Sequence, residues 1–267
     1  MNSVKVLYFH TLDLTFKSAQ TIQVVKDYYY LSKHGVEVSI YGTYANQKDY
    51  LVIKKYLSNS DVNIFAKPNN FMNKALLKIS FFLDFLKKNR KKVIVTRHYK
   101  KLSLVLKLKK IGLKFFVLHE MHEEAFPYLF KKKVSKKYIQ SLFLDSNLDL
   151  IIYTNFSQQD FFKKEFANHP RLSIVLPNGV EIERFRDVTM SPNFTITYGG
   201  GFNEWKNLDL VFESLSLLDK KYKLRVAGGK GDKKSDLYIR SLIDKYQIKS
   251  SRVIYMGFVD NKNVADL

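Results

Sequence analysis

The chain has 267 residues, with 45 Lys+Arg against 25 Asp+Glu, a formal charge of +20 and a pI near 9.7. A hydrophobic content of 46% excludes a disordered polycation, and the length allows one large domain or two modest ones. The absence of cysteine excludes a disulfide framework, a thiolate zinc site, an iron–sulfur cluster and a cysteine nucleophile.

The chain enters an apolar strand directly at Val4–Phe9, without the longer apolar run of a signal peptide, and holds no run of about 18 apolar residues. The expectation is a soluble, intracellular protein. Helical patterns follow at 18–34, 46–58, 73–89, 100–110, 133–147 and 156–166. Between them lie strands Val36–Tyr41, Val62–Phe65, Lys92–Thr96, Lys114–Leu118, Asp149–Tyr153 and Leu172–Leu176. Several strands are continuous apolar runs, which is what burial on both faces of a parallel sheet produces. Alternation at this pace predicts βαβ units in an open, doubly wound sheet, with ligands beyond the carboxyl ends of its strands.

The charge is concentrated. Residues 74–140 hold nineteen basic and four acidic side chains, so +15 of the +20 lies there. In the helix at 73–89, Ala75, Leu76, Ile79, Phe82, Leu83 and Leu86 share one face, Phe81 and Phe85 extend it, and Lys74, Lys78, Lys87 and Lys88 lie off it. The helix at 100–110 sets Leu102, Val105, Leu106 and Leu108 among Lys101, Lys107, Lys109 and Lys110. Two readings stand: sheet-covering helices with solvated lysine faces, or a surface that docks on anionic lipid through Lys87, Lys88, Arg90, Lys91 and Lys92. No aromatic RNA-binding motif, zinc-finger spacing or helix-turn-helix is present, so nucleic acid is not expected as a partner.

A break follows at Pro177-Asn178-Gly179-Val180 and runs through a polar stretch to Ser191-Pro192. Alternation then restarts with strand Phe194–Tyr198, helix 206–219, strand Tyr222–Ala227, helix 234–246 and strand Arg252–Gly257. The last residues, Asp260 to Leu267, read as the start of a helix. Two domains are therefore expected, 1–187 and 188–267, the second incomplete.

The cluster Tyr198-Gly199-Gly200-Gly201-Phe202 follows a strand and precedes a helix expected near Lys206. Glycines there let backbone N–H groups approach a phosphate, and Lys206 is placed to neutralise a diphosphate. A tight turn is the alternative. In Phe116 to Glu124, His119, Glu120 and His122 follow a strand, without the His-Glu-x-x-His spacing of a zinc site, so no metal is expected. A polar loop after a buried strand explains them equally. Arg97 and His98 follow another strand's carboxyl end.

These motifs together resemble the group one, glycogen-synthase-like family of retaining nucleotide-sugar glycosyltransferases, of GT-B fold. Leu31-Ser32-Lys33-His34-Gly35-Val36-Glu37-Val38 is similar to the family's early segment leading into the second strand, and Asp149 to Asn155 to its strand ending in a small polar residue. Leu176-Pro177-Asn178-Gly179-Val180-Glu181-Ile182-Glu183-Arg184-Phe185 is similar to its interdomain hinge, and is the most specific match. Tyr198 to Lys206, with Trp205, resembles the donor loop, and Val253 to Val259 the strand beside the nucleotide base.

The resemblance implies two Rossmann-like domains and sugar transfer with retention, from a nucleotide-sugar to a lipid-linked or polysaccharide acceptor. It implies no cofactor and no metal. His122 would stand near the transferred sugar with Glu120 supporting it, His119 being the competing assignment. Gly200, Gly201, Lys206, Asn178, Gly179, Phe258 and Val259 would hold the donor, and His98 and Arg97 would line the acceptor side. With the basic block, the expected place is peripheral, on the cytoplasmic face of a membrane. Departures are Gly201 in place of the usual Arg, Asn207 in place of a Gly, and no Gly-Gly pair in His10 to Thr15. Arg225 or Lys230 would then supply the missing cation. The family's paired glutamates and final helix would fall beyond Leu267, so the chain reads as truncated, and a partner-docking module derived from such an enzyme is the alternative function.

Overall fold

A computed structural model describes residues 4–15, 18–87, 91–121, 134–166, 172–185, 194–229 and 231–266. Within these, the chain divides into two compact units, Met1–Gly179 and Val180–Leu267; the expected boundary at 187/188 lies outside the described residues.

The first unit is built on strands β1 (Val4–Asp13), β2 (Glu37–Tyr44), β3 (Val62–Pro68), β4 (Lys91–Thr96), β5 (Phe116–Met121), β6 (Leu150–Tyr153) and β7 (Leu172–Val175). They form one parallel sheet in the order β3-β2-β1-β4-β5-β6-β7. The order reverses between β1 and β4, and the crevice at that switch point opens at their carboxyl ends. Helices α1 (Ala19–Lys33), α2 (Gln47–Leu57), α3 (Phe71–Leu86), α4 (Tyr99–Lys110), α5 (Lys136–Phe143) and α6 (Phe156–Glu165) connect the strands. Each begins where a short polar side chain can accept from the first turn: Ser18, Asn46, Asn70, His98, Ser135 and Asn155. One core packs Val24 and Val25 of α1 and Ile53 of α2 on Val6, Tyr8 and Ile40. The other packs Phe85, Leu102, Val105, Ile139 and Phe162, from α3 to α6, on Leu7, Ile94 and Val117. Successive strand residues feed opposite cores, which is why the strands read as unbroken apolar runs.

Helix α3 corrects an expectation. The face that periodicity offers as the packed one is the exposed one: Leu76, Ile79, Phe82, Leu83 and Leu86 are all exposed. Leu77, Asp84 and Phe85 are buried instead, with Phe81 packed beside them. The cause is Asp84, only 4% exposed, which accepts from Lys5 Nζ at 2.7 Å, Ser39 Oγ at 3.2 Å and the Tyr41 hydroxyl. Burial alone would raise the Asp84 carboxyl, but bonds from Lys5 and Tyr41 outweigh it and hold it at about 2. A buried lysine on β1, an inner strand of the sheet, needs this carboxylate, and satisfying it fixes the roll of the helix.

The second unit has strands β8 (Thr195–Gly200), β9 (Lys223–Gly228) and β10 (Val253–Gly257), parallel in the order β10-β9-β8. Helices α7 (Leu208–Leu217) and α8 (Lys233–Lys245) bury Leu208, Phe212, Leu215, Ile239 and Leu242 on Leu224 and Val226. Ile254 and Met256 on β10 are exposed. Buried Arg252 donates to the carbonyls of Leu215, Leu218, Asp219 and Tyr222, closing the end of α7. Asn261–Asp266 forms a 3-10 turn. No described helix is long and apolar enough to cross a membrane.

Candidate functional site

The first unit carries a small cavity, about 60 Å³, at the carboxyl ends of its central strands. Its walls include Arg97, Glu120, Gln23, Asp27, Thr154 and Asn178. Arg97 follows β4 directly, and Glu120 is brought opposite by the alternation of β5. Gln23 and Asp27, four apart on α1, share the helix face that meets the guanidinium. Arg97 donates from Nε to Glu120, from Nη1 to Gln23 Oε1 at 3.4 Å and from Nη2 to Asp27 Oδ2 at 3.3 Å. Burial pulls its pKa down, but Glu120 and the ring hydroxyls around it outweigh this and hold the charge.

His10, at the same end of β1, is pushed down to about 4, first by burial and then by Arg97. Its Nε2 meets Thr21 Oγ1 at 3.0 Å, while its Nδ1 and the Tyr28 hydroxyl are buried without a hydrogen-bond partner in the structure. Gln23 also donates to Asn178, so the Pro177-Asn178 segment lies against α1. Chemically this is a guanidinium fixed between two carboxylates, with a neutral histidine buried nearby that does not line the cavity.

The catalytic assignments divide. His122 lies outside the described residues. His119 is 1% exposed, with Nδ1 2.7 Å from Thr96 Oγ1 and its ring packed on Phe143, so it belongs to the core on the far side of the sheet from Glu120. His98 does not reach the cavity wall; its Nδ1 accepts from Lys100 N at 3.1 Å and caps α4.

The second unit presents a larger cleft, about 420 Å³, lined by Gly201, Phe202, Asn203, Gly229, Asp232, Lys234, Ser235 and Tyr238. It sits beyond the carboxyl ends of β8 and β9, at the start of α8. Missing side chains create it. A Cβ on Gly228 would stand 1.7 Å from the Gly200 carbonyl oxygen, and one on Gly229 would stand 2.7 Å from the Phe202 ring. Gly228, Gly229 and Gly231 all have positive φ, at 147°, 71° and 66°. Gly231 also brings the loop against the backbone of Phe258, and Phe258 is itself half exposed. Asp232 accepts from Ser235 N at 2.9 Å and caps α8.

The run Gly228-Gly229-Lys230-Gly231 is a second glycine cluster after a strand, and that pattern is its signal in the sequence. The expected helix at 206 starts instead at Leu208, because Asn207 takes the left-handed conformation at φ 51°. Lys206 therefore ends a separate 3-10 turn, exposed, and a lysine on the cleft wall is Lys234. Arg225 lies within β9, and Lys230 is outside the described residues. Gly179 is exposed at the end of the first unit, and Val259 is part-buried just past β10. Of the basic block, Lys87 is exposed and pairs with Asp84 at 3.3 Å, Lys91 is exposed, and Lys92 donates to the Lys87 carbonyl; Lys88 and Arg90 lie outside the described residues. Among the described residues no three His, Asp or Glu side chains converge as a metal site.

No family model and no curated protein matches the sequence. Solved structures do. Anabaena Alr3699/HepE in complex with UDP is similar over 98% of this chain and 71% of its own, with TM-score 0.67 and 13% identity. A Rickettsia africae glycosyltransferase is similar over 99% and 71%, with TM-score 0.67 and 16% identity. WaaG, a glycosyltransferase involved in lipopolysaccharide biosynthesis, is similar over 98% and 71%, with TM-score 0.56 and 12% identity. The fold is that of the GT-B glycosyltransferases.

Proposed function

We propose that this chain is a glycosyltransferase that moves a sugar from a nucleotide-sugar to a lipid-linked or polysaccharide acceptor, with retention at the anomeric carbon. The observation that carries the reading is the glycine-built cleft of the second unit, in a fold whose neighbour HepE has been solved with UDP and with UDP-glucose. On this reading the loops at Gly200-Gly201 and Gly228 to Gly231 admit the diphosphate to backbone N–H groups at the start of α8. Charge on the departing nucleotide is stabilised there by those dipoles and by Lys234 or Lys206, with no metal required. Phe258 and Val259 would add to the donor site of the second unit, and Arg97 with Glu120 would serve the acceptor side of the first. The chain works peripherally, at the cytoplasmic face of an anionic membrane, which the basic block at 74–140 supports.

The test is transfer of radiolabelled sugar from a panel of nucleotide-sugars by the full coding product. Loss of transfer in His122→Ala and in the double variant Lys206→Ala/Lys234→Ala is expected; retention in both would contradict the site. A second reading, a non-catalytic docking module, is favoured by Gly201 and Asn207 standing where the resembled family has Arg and Gly. It predicts vesicle binding with no affinity for any nucleotide-sugar.

A further inference from the structure

The exposed face of α3 is long, apolar and ordered by spacing. Met72, Leu76, Ile79, Leu83 and Leu86 recur at steps of four, three, four and three, which lines them along one side of the helix. Phe82 and Phe71 widen the stripe, and Phe71 and Met72 at its start are 91% and 73% exposed. A monomeric surface seldom leaves so many large apolar side chains contiguous and uncovered.

Loose packing does not explain the exposure, because the opposite side of the helix is fastened. Leu77 and Phe85 enter the core, and Asp84 is held by Lys5, Ser39 and Tyr41 across β1 and β2. Rolling the helix to bury Ile79 and Leu83 would pull that carboxylate away from buried Lys5. Sequence neighbours of the stripe are basic: Lys74 and Lys78 are exposed on the helix, and Lys87 and Lys91 are exposed just past its end. No acidic side chain of α3 is exposed, since Asp84 is its one acidic residue and is buried. Asn69 donates to Asp13 Oδ1 at 3.0 Å, so the helix starts from the carboxyl-end edge of the sheet, the edge that carries the cavity around Arg97.

We infer that the apolar stripe of α3 enters the interfacial layer of an anionic phospholipid bilayer, with Lys74, Lys78, Lys87 and Lys91 on its phosphates. An exposed apolar face on a helix whose exposed charges are lysines complements a negatively charged, apolar-cored layer, where both kinds of residue contribute to binding. The inference rests on the peripheral-membrane part of the proposed function and deepens it, from general attraction by a basic block to insertion of one named helix. It is independent of sugar transfer.

The chain has no cysteine, so single cysteines report on their positions without background. Ile79→Cys and Leu83→Cys, each carrying an environment-sensitive fluorophore, are mixed with phosphatidylcholine vesicles containing about one-third phosphatidylglycerol. Blue-shifted emission, quenched by spin labels in the acyl region, is expected at both sites and not at the α2 control Lys48→Cys. Leu76→Asp/Ile79→Asp/Leu83→Asp should weaken vesicle sedimentation by roughly tenfold or more. Its unfolding midpoint should stay near the parent's, because these side chains are already exposed. Sedimentation with unquenched, unshifted probes would overturn insertion and leave charge-driven docking standing. No sedimentation at low salt would overturn both. A dimer in light scattering that the triple variant dissolves would overturn the lipid assignment in favour of a second copy. UDP-glucose affinity, measured separately, bears on the transferase reading alone.

Discussion

The two units build their clefts from opposite materials. The cavity of the first is made by what side chains add: Arg97 between Glu120 and Asp27, the guanidinium charge also helping to hold buried His10 neutral. The cleft of the second is made by what side chains omit, since Gly228 and Gly229 stand where a Cβ would collide with Gly200 and Phe202. A site of the first kind answers to charge and pH. A site of the second kind answers first to volume and to the backbone angles that its glycines permit.

Gly228→Ala should have the largest effect, because its methyl group would meet a backbone carbonyl that cannot move without breaking the β8–β9 pairing. A loss of about 3 kcal/mol or more is expected, confined to the second unit. Hydrogen exchange that collapses across 195–257 but stays slow across β1 to β5 would bear this out. Uniform loss would break the contrast between the units. Next in size is Arg97→Met, which strands Glu120 and Asp27 and should cost the first unit about 3 kcal/mol in urea unfolding. Adding Glu120→Gln should restore part of that loss, whereas strict additivity would show that the pair does not act as one.

The pH response is smaller and sharpens the same contrast. His10 has a folded pKa of about 4 against an ordinary 6.5, so the unfolded chain binds the extra proton. Stability should therefore fall as pH drops from about 6.5 to about 4, by at most about 3 kcal/mol, and His10→Asn should flatten that slope. Asp84 adds a separate loss below its unfolded value of 3.8, ending near pH 2. The smallest stability change is expected for Lys206→Ala, within about 0.5 kcal/mol by thermal unfolding, since the side chain is exposed on a 3-10 turn.

Most of the fold was legible because parallel strands announce themselves as short apolar runs between amphipathic stretches. Strands run past their apolar stretches: β1 continues to Asp13 and β5 to Met121, because polar residues extend them at the crevice. The roll of α3 was not legible. Periodicity ranks faces by apolar content, and here a buried Asp84 outweighs six apolar residues through Lys5, 79 positions away in sequence. His119 and Glu120 show the same limit on a smaller scale: adjacent residues of one strand face opposite layers, and only the sheet's register decides which one meets Arg97. The glycines after β9 were visible as residues, but their value lies in backbone angles and in the approach of Gly200, which spacing does not display.

The central claim is that the glycine-built cleft of the second unit holds a nucleotide-sugar. Backbone amide NMR of the chain titrated with UDP-glucose tests it most directly. The account predicts saturable shifts at the amides of Gly200, Gly201, Gly229 and Ser235. No shifts there with any nucleotide-sugar, or shifts confined to the first unit, would contradict it.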